Sequence, residues 1–224
     1  MNSDTSEISA MPALLLRRFS RDCQGGTAVE FAIVLNLLLA LTFAIVEFGF
    51  AGYQWSAAEK ATQEGVRMAV VSDPVAVNLR NFDCKNNSIA VGVNCSDPSA
   101  TVFPTVICQK TGGTGACSGW TGGFDNTAFT AIVTRMQAYF PWIEPQNVVI
   151  EYRSAGLGFA GQSGVGLPPV VQTTVRLRDM TFNFVVIDIL LEFLSAGGSL
   201  FPNPYPMPSF AASLTGEDFK TVGS

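Results

Sequence analysis

The chain has 224 residues, with 13 Lys and Arg against 18 Asp and Glu, a formal net charge of −5 and no histidine. That balance, with no basic cluster after Arg21, speaks against a nucleic-acid partner. The missing imidazole excludes Ser-His-Asp and Cys-His catalysis, histidine zinc sites and the usual physiological pH switch.

Residues 1–24 are polar and then basic, with Arg17, Arg18 and Arg21 near their end, and read as a leader outside the fold. Gly25-Gly26 follows, then Glu30, then residues 31–46 without a charge. Glu47 interrupts, and the apolar character resumes as far as Tyr53 and Trp55. A bilayer core of about 30 Å needs roughly 20 apolar helical residues, so residues 31–53 are long enough to span it. A secretory signal is the competing reading, with Ser56-Ala57-Ala58 imitating its cleavage site. Its apolar core, however, is usually about 7–15 residues and begins close to the N-terminus.

The arginines predict a cytoplasmic N-terminus, and Tyr53 and Trp55 suit the far interface, so all that follows is expected outside the cytoplasm. Glu30 and Glu47 stand 17 residues apart, about 26 Å along a helix. This places Glu30 at the inner boundary and Glu47 at or just inside the outer one. Two interfacial carboxylates reaching for headgroup water are the plain reading of the pair.

The run Gly25-Gly26-Thr27-Ala28-Val29-Glu30-Phe31 resembles the processing site of type IV pilins and pseudopilins. In those families a prepilin peptidase cuts after a glycine and a glutamate stands fifth in the mature chain. Cleavage between Gly25 and Gly26 makes Glu30 that fifth residue, whereas cleavage between Gly26 and Thr27 makes it the fourth. The wider stretches VEFAIVLNLLLALTFAIVEFG and AAEKATQEGVRMA resemble the TadE/TadG branch, minor pseudopilins of tight-adherence (Flp) pilus systems. Asn36 stands where that family's proline is expected, and Gln63 where an arginine is common. The resemblance implies that Glu30 and Phe31 belong to a processing and assembly motif. Glu30 would pair with the new α-amino group of Gly26 on its own chain or a neighbour. A helix starting near Gly26 would also set Glu30 in its first turn, where the helix dipole favours an acid.

After Trp55 the sequence predicts that the helix continues as a stem to Val71. Ala57, Ala61, Gly65 and Ala69 recur every four residues, a stripe of small side chains that lets another backbone approach closely. Glycine costs about 1 kcal/mol relative to alanine in a helix, so Gly65 is not there for helix propensity. The stripe is expected to face another protein surface. Ser72-Asp73-Pro74 ends the helix, because a residue before proline is pushed out of the α region.

Cys23 lies in the leader, on the reducing side, whereas Cys84, Cys95, Cys108 and Cys117 lie outside, an even number in an oxidising compartment. Four cysteines allow three connectivities. Local closure, Cys84–Cys95 with Cys108–Cys117, is favoured by the short intervening segments. A four-thiolate metal site is the rival, but no CxxC pair occurs.

Residues 88–93 and 101–108 are candidate strands, with turns at Asn86-Asn87, Asp97-Pro98 and Gly112-Gly113. Residues 111–123, rich in Gly, Ser and Thr, read as a surface loop; no GxxxxGK[ST] is present to make it a phosphate loop. Residues 125–139 predict a helix capped by Asp125 or Asn126, with Phe129, Ile132, Val133, Met136 and Phe140 along a core-facing stripe and Pro141 closing it. Residues 148–153 and 170–178 alternate as strands do and predict a long-loop hairpin. Residues 181–194 are apolar but too short and too charged for a second span, and read as a buried strand passing into a helix. The proline-rich stretch 196–209 and the last residues read as loop and loosely packed tail.

The predicted class is α+β: a long N-terminal transmembrane helix continuing into a stem, then a small extracytoplasmic head with antiparallel sheet and one or two packed helices. The expected divisions are 1–25 as a cleaved leader, 26–72 as transmembrane helix and stem, and 73–224 as a disulfide-containing head. The resemblance implies a non-enzymatic minor pseudopilin, single-pass in a bacterial inner membrane, with its head in the periplasm. Its implied partners are membrane lipid, a prepilin peptidase, an inner-membrane assembly platform with its ATPase, the major Flp pilin and sister pseudopilins. Entry into the fibre itself stays open. The alternative is a single-pass anchored binding protein unrelated to pili. Glu144 and Glu151 are the one carboxylate pair that an enzyme reading could use, and nothing in the sequence orients them. Longer family members carry a metal site with a DxSxS motif; this chain has none, so neither metal nor cofactor is expected.

Overall fold

A computed structural model describes residues 26–82, 90–94, 103–156, 171–189 and 204–216. The proposed leader, Cys23, Gly25, Cys84 and Cys95 lie outside them, as do residues 88 and 89 of the candidate strand at 88–93; residues 90–93 form a turn instead of a strand, closed by the Val93 N–H donating to the Ala90 carbonyl at 3.1 Å. The described parts of Met1–Phe48 and Val185–Leu200 form one compact unit, and those of Gly49–Phe184 and Phe201–Ser224 a second.

Helix α1 runs unbroken over Gly26–Val71, through Asn36. Its apolar half is bare on every side: Phe31, Ile33, Val34, Leu35, Leu37, Leu38 and Leu39 are all exposed. Consecutive positions point in all directions around a helix, so this is apolar surface all round rather than a stripe. A stretch of that helix has a mean hydropathy of 2.4, and it is long and apolar enough to cross a membrane. It fits a single-pass anchor. Past Ala57 the character changes, and Ala58, Ala61, Thr62, Glu64, Gly65, Val66, Ala69 and Val70 are buried.

The second unit is an antiparallel five-stranded sheet with helices packed on it. Its strands are β1 (Val106–Thr111), β2 (Thr114–Ser118), β3 (Val148–Ser154), β4 (Val171–Leu177) and β7 (Phe210–Thr215), in the order β2-β1-β3-β4-β7. A short pair, β5 (Thr181–Phe182) with β6 (Tyr205–Pro206), stands apart from that sheet. The β3–β4 hairpin has the predicted alternation, with Val148 opposite Leu177 and Tyr152 opposite Thr173. Val148, Ile150 and Tyr152 of β3, Val106 and Cys108 of β1, and Val175 and Leu177 of β4 share one core with Ala58, Ala61, Val66 and Ala69 of α1.

Helix α2 (Asn126–Gln137) supplies Phe129, Ile132, Val133 and Met136 to the same core. Asp125 caps it: its carboxylate accepts from the Thr127 and Ala128 N–H groups at 2.7 and 3.1 Å. Such a cap stabilises by about 0.5–2 kcal/mol relative to alanine.

Three further sequence expectations change. The segment read as a loop at 111–123 contains β2, because Gly112 and Gly113 (φ 57° and 89°) make a two-residue turn that folds the chain back on β1. The supposed tail contains β7, which pairs with β4 from Gln172–Thr215 to Leu177–Phe210. The apolar stretch from Thr181 begins as β5 and passes into a helical turn at residues 186–189, yet Val185 and Ile189 are exposed rather than buried. Residues 190–194 of that stretch lie outside the described ones.

Candidate functional site

Most of the residues that the sequence singles out lie on α1. Gly26 opens the helix with nothing within 4 Å of a Cβ built there, and Glu30 and Phe31 follow as exposed residues. No acid lies in the helix's first turn. The expected first-turn position of Glu30 is therefore corrected: as the fifth helical residue it lies one step beyond the free amides that give the dipole its strength.

Glu47 does not simply reach for headgroup water. Its Oε1 accepts from the backbone N–H groups of Val185 and Val186 at 2.7 and 2.6 Å, and its Oε2 from that of Ile187 at 2.8 Å. Those three donors open the turn at residues 186–189, in which the Ile189 N–H donates to the Val185 carbonyl. A helix start leaves such amides without partners of its own. Here one carboxylate satisfies all three.

The small-residue stripe lies against the protein's own head. Ala61, Gly65 and Ala69 are buried and Ala57 is partly so, all packed into or against the core. A Cβ on Gly65 would come within 2.7 Å of Met136 Cγ and Sδ on α2. The surface that the stripe faces is thus the protein's own head, with α2 and the shared core packed against it.

Residues 25–67 match the family model described as TadE-like protein. The similarity covers the N-terminal helix as far as residue 67. That family implies a role in tight-adherence pili. No curated protein and no solved structure matches the chain.

Within the TadE-like segment one charge is held with particular care. Glu64 is 8% exposed, and its carboxylate meets Arg135 of α2 at 3.0 Å, Lys60 at 3.3 Å and Arg67 at 3.5 Å. The hydrogen bond from the Arg135 guanidinium, aided by Lys60, holds its carboxyl below the usual glutamate value. Arg135 also lies over the Tyr139 ring, 5.4 Å from its centroid. Beside this cluster an open groove of about 1060 Å³ runs between Met68 and Val71 of α1 and Thr127, Thr130 and Thr134 of α2.

The chain leaving the TadE-like helix is then knitted to the sheet. Val75 donates its N–H to the Tyr152 hydroxyl at 3.0 Å, and its carbonyl accepts from the Asp125 N–H at 2.7 Å. Val77 donates to the Gly123 carbonyl at 3.2 Å and accepts from the Trp120 indole at 2.8 Å. Tyr152 is fully buried, and burial pushes its hydroxyl far above the ordinary tyrosine range. It is a fixed hydrogen-bonding strut rather than an acid.

Cys108 and Cys117 form a disulfide across the β1–β2 hairpin, where they are directly opposed. Glu151 is buried on the opposite sheet face from Tyr152 and is ion-paired to Arg153 and, at 2.9 Å, to Arg176. Glu144 accepts from the Gln146 side-chain amide and frames the 3-10 turn Pro145–Asn147. Each acid thus has a structural use of its own. Among the described residues, no group of three or more Cys, Asp and Glu converges on a point. Sequence reasoning had no signal for the Glu47 contact, whose partners lie 138–140 residues away.

Proposed function

We propose that the chain is a non-enzymatic minor pseudopilin that takes part in assembling or initiating a tight-adherence pilus. The observation that carries this is α1 itself. A helix with a bare apolar half is described from Gly26 to Val71, bears Glu30 shortly after the Gly25-Gly26 pair, and falls in the TadE-like match as far as residue 67. In this reading a prepilin peptidase removes residues 1–25 at the cytoplasmic face, α1 anchors the protein in the bacterial inner membrane, and the head lies in the periplasm. The assembly platform and its ATPase, the major Flp pilin and other pseudopilins are its partners. The four external cysteines and the sheet built around Cys108–Cys117 suit an oxidising compartment.

Glu30 has the sharpest role. A carboxylate at the edge of hydrocarbon calls for a partner, and after cleavage the α-amino group of Gly26, on this chain or on a neighbour, supplies one. Desolvation takes back much of what such a pair gains, so it sets register more than it stabilises. Complementing a deletion strain with Glu30→Gln tests this. The variant should insert and be cleaved but leave cells without pili; normal piliation would remove the intersubunit role from Glu30.

A further inference from the structure

The grip of Glu47 on residues 185–187 lies 17 residues along the chain from Glu30 of the proposed processing motif. Glu47 lies within the apolar run of α1, about 9 Å of helix before Tyr53. A carboxylate there is costly unless it is paired, and three backbone amides at 2.6–2.8 Å pair it. The benefit is mutual. Backbone donors close to hydrocarbon must be satisfied without water, and the start of the 185–189 turn meets that condition through Glu47.

Those bonds also fix the depth of the turn. Its backbone is held beside residue 47 of a helix whose neighbouring residues Val46 and Phe48 are 67% and 64% exposed. At that level the turn directs Val185 and Ile189 outward, 62% and 63% exposed. Isolated exposed apolar residues are ordinary, but here they stand at the depth of an apolar surface suited to lipid. We propose that residues 185–189 form a second membrane-contacting element, seated in the phospholipid at the boundary where α1 leaves the hydrocarbon and clamped there by Glu47. The inference rests on α1 being the membrane anchor. The chain would then meet the bilayer at two points distant in sequence, and Glu47 would be a positioning residue for the second.

The test uses the full mature chain in vesicles of phosphatidylcholine and phosphatidylglycerol, with or without bromine on the acyl chains. In a Trp55→Phe background, which leaves Trp120 and Trp142 as a constant reference, an indole is placed by Ile189→Trp, with Val185→Trp as the alternative placement. The added emission should shift to the blue and lose most of its intensity in brominated vesicles. An Ile45→Trp control on α1 reports the anchor separately. Quenching at 45 but at neither 185 nor 189 overturns the second contact and leaves the anchor standing. Quenching at none of the three removes both. Adding Glu47→Ala to Ile189→Trp should relieve the quenching; quenching that stays unchanged would show that Glu47 does not hold the turn.

Discussion

Gly65 of α1 and Met136 of α2 are packed so closely that a single methyl group on Gly65 would meet the Met136 thioether at 2.7 Å. The small-residue stripe therefore works inside the protein, letting the stem lie on its own head. Its first consequence is a stability effect rather than a loss of partner binding.

Gly65→Leu should destabilise the head by about 1–3 kcal/mol, the usual cost of overpacking, less whatever the flexible methionine yields. Lys60→Leu, which loses only a half-exposed ion pair, should change stability by less than about 1 kcal/mol. Thermal unfolding of the detergent-solubilised protein distinguishes them. Equal shifts in midpoint would contradict the packing assigned to Gly65.

Glu64 predicts an acid-sensitive joint between stem and α2. Its carboxyl titrates below the ordinary 4.5 because Arg135 and Lys60 favour the charged form. A depressed folded pKa gives a contribution that is present above the unfolded value and lost as pH falls through the folded one. The midpoint of the wild type should therefore drop more steeply than that of Glu64→Gln below pH 4.5. Parallel curves for the two proteins would show that the joint does not depend on that charge.

The Cys108–Cys117 bridge closes a short loop, which on chain-entropy grounds is worth about 2–3 kcal/mol. Replacing both cysteines by serine should lower the denaturation free energy by that amount while leaving the β1–β2 register intact. Peptide mapping without reductant should recover the two residues in one linked fragment. Recovery of Cys108 linked to Cys84 or Cys95 would contradict the pairing.

The elements that announce themselves in this sequence are those whose cause is local. Residues 31–46 are apolar in every direction, Asp125 caps a helix of regular core spacing, and residues 148–153 alternate. β7 was not legible, because Phe210-Ala211-Ala212-Ser213-Leu214-Thr215 has weak strand preference and is held by pairing with β4. β2 was hidden in the same way by its glycine and serine. The stripe at Ala57, Ala61, Gly65 and Ala69 was visible as a face, but a periodic pattern shows which side is covered and not what covers it. Glu47 shows the limit most clearly: the residue stood out, and its partners were unreadable from so far along the chain.

The central claim, that residues 1–25 form a leader removed by a prepilin peptidase, is tested most directly by the mass and N-terminal fragment ions of the protein isolated from its native membranes. The account predicts a mature chain beginning at Gly26, with Glu30 fifth, and accumulation of the uncut form in a Gly25→Ala strain. A native chain that retains Met1 would contradict it.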